Sequence, residues 1–304
     1  MLSSLFLRRH KRTALPRKGL SYLAWRYVGN AKRTWQAQFS KQDYPEARQL
    51  GRKLQGPGIL CGPSTHYLSE DGQSALAQAS ELVLGLANAA EANVKGPQTR
   101  QRKKYLVELV RGASTHDADS PLLKVALDIK LLEIVASYLG LWPSLYSIGA
   151  WLNYPIGEPP MSSQLWHRDP EDLKIIKVFI YLVDVDEERG PFCYIPETQS
   201  FSKHANLVPV HKDSMRITDE EMATAIGPEN WIKCTGPVGT MILADTVGFH
   251  RGGYAKHGNR VLITFTYTSG IPLKPRKVRV KERPAWLKAQ IQKAASPDHD
   301  LLRA

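Results

Sequence analysis

Along the first half of the chain, apolar residues recur every three or four positions; along the second half they alternate or cluster in short runs. The first pattern predicts helices over residues 44–54 and 73–95, the second of these rich in Ala and Leu ("QSALAQASELVLGLANAAEANVK"). A third helix is predicted over 119–139, with Ser120 as candidate N-cap, Pro121 at the first helical position and Gly140 as the stop. "GPGILCG" and "KYLVELV" (104–110) read as short strands. Beyond Pro143 the runs become β-rich and are bounded by Gly and Pro: "LYSIGAWLNY", "IIKVFIYLV", "PFCYIP", "WIKCTG", "GTMILAD" and "RVLITFTYT". One helical interruption, "ITDEEMATAIG", opens on Thr218 with Glu221 at the capping-box position. The segment from Glu197 to Arg216 is a long irregular loop of the kind that carries substrate contacts. Helices followed by strands with Greek-key-length connections predict an α+β, mainly β fold. The expected architecture is a double-stranded β-helix (jelly-roll, cupin-like) barrel with flanking helices.

Composition changes this picture only at the ends. The 304 residues are 42% hydrophobic and 23% charged, ordinary for a globular protein, and no run approaches the ~20 apolar residues of a membrane span. The net charge is +12, but it is unevenly placed. Residues 1–42 hold ten Lys and Arg and no acid, residues 271–304 hold nine against three acids, and the body between them is mildly acidic. The chain therefore divides into a basic amphipathic extension (1–42), a barrel domain (43–270) and a basic C-terminal extension (271–304). Within the first, Leu20, Ala24, Tyr27, Ala31 and Trp35 recur at helical spacing among Arg26, Lys32 and Arg33. That segment is either a helix packed on the body with a solvated basic face or an interfacial helix on an anionic membrane. The apolar start "MLSSLFL" is short for a secretory signal, and the acid-free, Arg-rich beginning is also the composition of a mitochondrial transit peptide. The expected location is the cytoplasm, with residues 1–42 a candidate peripheral contact for the inner membrane face. Cys61, Cys193 and Cys234 lie far apart without CxxC spacing, which suits structural thiols in a reducing compartment.

The chemistry starts from "QLWHRDPEDLK" (164–174). On a strand, residues two apart project from one face, so His167 and Asp169 converge on one point if the strand persists to Asp169. Alone, such a pair is weak. A third group follows 83 residues on, where His250 sits in "LADTVGFHRGGYAKHGNR", and Arg260 opens a strand ten residues later. Two histidines and one carboxylate occupy one face of an octahedron around Fe(II) and leave three positions open. An arginine nearby supplies the two-point fork that holds a distal carboxylate. No Ser or Cys stands in a nucleophile elbow such as GxSxG, and no glycine-rich phosphate loop occurs.

These segments resemble the phytanoyl-CoA dioxygenase-type branch of the non-heme Fe(II), 2-oxoglutarate-dependent dioxygenases. The match runs from roughly residue 55 to 270 through "WHRD", "IIKVFIYLVDVDEERGPFCYIPETQ" and "DTVGFHRGGYAKHGNR". The resemblance implies that His167, Asp169 and His250 bind iron and that Arg260 binds the distal carboxylate of 2-oxoglutarate. It also implies a second co-substrate contact at Lys177 and a weaker candidate at Asn153. The cofactors implied are Fe(II), 2-oxoglutarate and O₂, with ascorbate a candidate stimulant. "PETQ" (196–199) departs from the family's P-G-S-H turn, which puts the substrate in doubt more than the metal. Asp169 is intact, unlike in the halogenating members, which carry a small residue there. His204, His211 and His257 read as loop surface residues, and Trp166 as a packed rim aromatic.

The basic ends point to an anionic substrate, either a small molecule or a lipid-linked sugar. Among relatives, the Kdo hydroxylases of lipopolysaccharide synthesis fit that pattern best. Hydroxylation of a soluble metabolite or acyl thioester is the alternative within the same chemistry. A different class, a non-catalytic jelly roll that binds anionic membrane or nucleic acid through its ends, also matches the charge. No recognised nucleic-acid motif appears, so no specific nucleic acid is expected.

Overall fold

The structure, a computed structural model, describes residues 30–39, 43–93, 105–110, 115–117, 119–200, 202–205, 216–274 and 278–280. Among the described residues, five α-helices lie in the first half of the chain, with β1 to β3 between them: α1 (Ala31–Phe39), α2 (Pro45–Gln55), α3 (Glu70–Asn93), α4 (Pro121–Ala126) and α5 (Ile129–Leu139). The strands are β1 (Ile59–Pro63), β2 (Leu106–Val110), β3 (Thr115–His116), β4 (Ser144–Asn153), β5 (Ile176–Tyr181), β6 (Phe192–Tyr194), β7 (Ile232–Cys234), β8 (Thr240–Asp245), β9 (His250–Gly252), β10 (Arg260–Thr268) and β11 (Arg279–Val280), and α6 (Asp219–Ala225) interrupts them. The larger sheet has the order β1-β8-β5-β10-β4-β2 and the smaller β7-β6-β9, with every pair antiparallel. This is the jelly roll expected from the strand runs. β3 and β11 form a separate parallel pair.

Alternation along each strand of the larger sheet decides what faces the helices. Ile176, Val178 and Ile180 of β5 join Val261, Ile263 and Phe265 of β10 and Leu123, Leu131 and Val135 of the helices in one core. The opposite face looks toward the smaller sheet, where Tyr181, Ile242, Ala244 and Leu262 pack against Phe192 and Tyr194. By the same parity Asn153, Lys177 and Arg260 face that space between the sheets.

The predicted helix over 119–139 is two helices. Asp128 stops the first and caps the second, accepting from the Leu131 N–H (3.0 Å). Its carboxylate also takes the N–H and hydroxyl of Ser69, and Ser69 Oγ accepts from the Gly72 N–H (3.1 Å). One buried acid therefore fixes the starts of α3 and α5. A side chain on Gly72 would collide with that carboxylate, and α3 begins three residues earlier than its apolar periodicity implies. Ser120 makes no side-chain cap bond, while Gly140 ends α5 with φ +69° as expected. Asn30, just ahead of α1, and Thr34 within it are buried, and Trp35 is 56% exposed. The rest of the predicted 20–35 helix lies outside the described residues. α1 is tied to the body through Arg33, which donates to the Trp142 and Pro143 carbonyls. The three cysteines are free, Cys61 exposed and the others buried. Among the described residues, no helix is long and apolar enough to cross a membrane.

Glu133 on α5 accepts the N–H groups of Asp43 (2.8 Å) and Tyr44 (3.1 Å) ahead of α2. Burial pushes its carboxyl pKa up from 4.5 to about 7, against the pull of those two donors. The folded state therefore holds this proton more tightly than the unfolded chain. The group's contribution is most favourable below about pH 4.5 and declines as the pH rises to about 7. Urea unfolding of the wild type and of Glu133→Gln across that window should show the wild type losing stability relative to the variant as pH rises. Parallel curves would refute it.

Candidate metal centre

The smaller sheet continues past β9. His167 and His250 exchange backbone hydrogen bonds (2.9 and 3.0 Å), and Trp166 and Ile217 do the same (2.9 and 3.0 Å). Regular pairing ends at His167, short of the persistence to Asp169 that the spacing argument needed. Asp169 is held instead by its N–H on the Thr246 carbonyl (2.8 Å), in the turn between β8 and β9. That turn is anchored by buried Asp245, which accepts the Tyr138 hydroxyl (2.5 Å) and the Val247 N–H (3.1 Å).

The two imidazole centroids lie 4.3 Å apart, and His250 Nε2 is 3.6 Å from Asp169 Oδ2. One ligand atom from each of His167, Asp169 and His250 lies within 4.8 Å of the other two. Metal–ligand bonds of about 2.0–2.2 Å place adjacent ligands of one ion about 3 Å apart, so a small inward shift closes the set on a single metal. Each ring is oriented the same way. His167 Nδ1 meets the Leu165 carbonyl (2.8 Å) and His250 Nδ1 the Gly248 carbonyl (3.0 Å). With Nδ1 carrying the proton, each Nε2 lone pair is free to bind a metal. Burial pushes the His250 pKa down to about 4 and that of His167 well below its ordinary value. Burial opposes ionisation of Asp169, but Lys177 and the two imidazoles outweigh it and hold the carboxyl below its usual range. Neutral imidazoles and an ionised carboxylate are the protonation states a ferrous ion requires. The donor set fits Fe(II).

The other sequence candidates fall around this centre. Lys177 Nζ lies 2.5 Å from Asp169 Oδ2, on the ligand carboxylate itself. Asn153 donates to the Arg260 carbonyl (3.4 Å), next to the co-substrate candidate. Arg260 is 5% exposed, its Nε and Nη1 have no hydrogen-bond partner, and no carboxylate pairs with it among the described residues. Its Nη2 would stand 3.5 Å from a Cβ on Gly252. Gly252 is two residues beyond His250 on β9, about 7 Å along the strand. A five-carbon diacid spans that interval, and a buried guanidinium without an acid is the partner its far carboxylate needs. His204 and His257 lie near surface acids, Glu197 and Asp186, each at 3.9 Å. His211 lies outside the described residues. The divergent "PETQ" turn is structural here: Thr198 Oγ1 accepts the Phe249 N–H (2.8 Å), one residue before His250.

No protein-family model matches the chain, and no curated protein does either. Among solved structures, EctD from S. alaskensis with bound Fe superposes with a TM-score of 0.50 at 18% identity, covering 87% of this chain and 91% of EctD. The chain shares the jelly-roll fold of this iron-bound protein. Two further structures are similar at slightly lower scores. The non-heme alpha ketoglutarate dependent epimerase SnoN of nogalamycin biosynthesis gives 0.49 at 14% identity, over 75% of this chain and 84% of SnoN. AviO1 from Streptomyces viridochromogenes Tue57 gives 0.49 at 15% identity, over 75% and 96%.

Asp219 escaped the sequence reading as a site residue. It opens α6 behind Thr218, whose capping box with Glu221 forms as expected. Its carboxylate accepts the Trp166 indole N–H (2.7 Å) and pairs with Arg251 (3.0 Å). Trp166 and Arg251 each adjoin a metal-site histidine in sequence and point to the opposite face, where the Arg251 guanidinium lies over the Trp166 ring (5.0 Å). Asp219 thus clamps the two histidine-bearing segments together from behind. Asp219→Ala is expected to weaken Fe(II) binding by up to about tenfold, the low end of what losing an outer partner costs, since it holds the histidine-bearing segments rather than a ligand itself. Anaerobic Fe(II) titration measures it, and unchanged affinity would show that the clamp is irrelevant to the centre.

Proposed function

We propose that this protein is an Fe(II)/2-oxoglutarate-dependent dioxygenase that hydroxylates an anionic substrate. The observation that carries the reading is the coincidence of a buried His167–Asp169–His250 set with a buried guanidinium, Arg260, that has no protein acid. His167, Asp169 and His250 would hold iron on one face and leave the opposite face to co-substrate and O₂. Bound iron with 2-oxoglutarate and O₂ supplies oxidation of an unactivated C–H bond, with release of succinate and CO₂. Arg260 would fix the far carboxylate of 2-oxoglutarate. Lys177, on the metal-facing carboxylate of Asp169, would keep it ionised and oriented. Phe179 and Phe192, whose rings stand 4.4 Å apart between the sheets, supply an apolar wall that limits water.

For the substrate we favour the acidic Kdo sugar of a lipopolysaccharide precursor, met at the cytoplasmic face of the membrane. The support is the basic residue content of 1–42 and 271–304 and the cations that line the centre. A soluble anionic metabolite is the alternative. Oxygen consumption with Fe(II) and 2-oxoglutarate, screened against membrane-lipid and soluble sugar fractions with succinate as readout, separates the two. Succinate from the lipid fraction supports the lipid-linked substrate, and succinate from the soluble fraction alone supports the metabolite. No 2-oxoglutarate turnover with any fraction would reject the dioxygenase.

A further inference from the structure

Two of the three free cysteines come together where the two sheets meet. β1 is an edge strand of the larger sheet, paired there with β8, and Cys61 stands opposite Ile242. Cys61 shares a strand face with Ile59, and Ile59 and Ile242 belong to the apolar cluster between the sheets. Cys234 belongs to the same cluster. It is the last residue of β7 in the smaller sheet, and residues 235–239 then carry the chain across to β8, beside β1. One sheet thus sends Cys61, and the other Cys234, into a common space. Cys193 lies elsewhere, in an outer cluster with Trp166 and Phe249.

The two thiols act directly on each other. A hydrogen bond with Cys234 lowers the Cys61 pKa, against burial, and the same bond raises that of Cys234 well above its ordinary value. The proton therefore stays on buried Cys234, and the thiolate is favoured on exposed Cys61. Burial first, and then both thiols, push the neighbouring Tyr67 phenol up to about 12, which puts the three groups in one cluster. An exposed thiolate beside a buried second thiol is the arrangement of a redox-responsive pair. We propose that Cys61 and Cys234 form a reversible disulfide that staples the two sheets together, with a small-molecule disulfide such as oxidised glutathione as the oxidant. The Cys61 thiolate attacks one sulfur of that disulfide, whose S–S bond breaks. One glutathione leaves as its thiolate, and a mixed disulfide remains on Cys61. Cys234 then gives its proton to solvent, attacks the Cys61 sulfur and releases the second glutathione. Two protein thiols are oxidised, and one glutathione disulfide is reduced to two thiols. Antibody domains show that such a bond can span two packed sheets. Here it joins the sheet that carries His250 to the sheet that carries Lys177 and Arg260, and it stands independently of the dioxygenase reading.

The test incubates the full-length protein with excess oxidised glutathione, quenches it with acid and maps disulfides by mass spectrometry of non-reduced peptides. The expected product is a Cys61–Cys234 link within one chain, with Cys193 still a thiol, and dithiothreitol should restore all three thiols. The link should raise the melting temperature by about 5 °C or more, a gain that reduction removes. Cys61→Ser, a change at an exposed position, should give neither the link nor the shift. Cys234→Ser should stop at the mixed disulfide, with one glutathione on Cys61. If Cys234→Ser does not fold, as judged by circular dichroism, Cys61→Ser carries the comparison alone. A wild-type protein that keeps glutathione on Cys61 while Cys234 stays free overturns the proposal. So does a link between two chains, a Cys193–Cys234 link or no loss of thiols at all. A Cys61–Cys234 link that leaves the melting temperature unchanged overturns the stapling role.

Discussion

Asp169→Ala is expected to weaken Fe(II) binding by more than about 100-fold, above the 10–100-fold that follows loss of an outer partner, and to destabilise the metal-free protein by about 3–5 kcal/mol. The two effects have separate causes. Iron loses its only anionic ligand among the three, and Lys177 loses the carboxylate 2.5 Å from its Nζ. Lys177 is half-buried, and desolvation would lower its pKa but for Asp169 and Glu171, which together raise it. Removing Asp169 leaves that ammonium with Glu171 alone, and the penalty for an under-compensated, half-buried charge exceeds what the pair itself contributes. Asp169→Ala combined with Lys177→Met should therefore regain most of the lost stability without regaining iron. Urea unfolding and anaerobic Fe(II) titration read the two quantities independently. A stable Asp169→Ala protein with wild-type iron affinity would remove the metal centre from this site.

Arg260→Gln is expected to raise the 2-oxoglutarate concentration needed for half-saturation about 30-fold or more, with iron affinity unchanged. Loss of one partner from a buried, hydrogen-bonded charge pair costs about 2–5 kcal/mol, and 2 kcal/mol is close to 30-fold. Arg260→Lys keeps the charge and loses the fork, so it should fall between the two. Because no protein acid pairs with Arg260 among the described residues, the variant strands no internal charge, and its thermal stability should fall little. Titration of the anaerobic iron complex with 2-oxoglutarate gives the affinity. Wild-type affinity in Arg260→Gln would place the co-substrate elsewhere.

These two predictions involve residues already visible in the chain, and the reason is geometric. His167 and Asp169 are two apart, a spacing that strand torsions turn into one shared face. The turn and glycines around His250, and the strand opened by Arg260, are equally local. Asp219 carries no such signature. Its role comes from the indole N–H of Trp166, 53 residues away, and from the ion pair with Arg251. Alone it reads as a polar group at the start of a short helix.

What lies within a few residues was determined by the chain itself: the order of helices and strands, the Thr218–Glu221 cap, the Gly140 stop and the spacing of the metal pair. Backbone torsions and near-neighbour hydrogen bonds set these, and both are written in adjacent side chains. The tertiary structure alone decided that Asp128 divides the third helix, because its carboxylate had to satisfy Ser69 as well as α5. It alone decided that Lys177 meets Asp169 and that Arg260 is buried without an acid. Register between strands and the desolvation of paired charges depend on which distant segments pack together, and no local pattern encodes that.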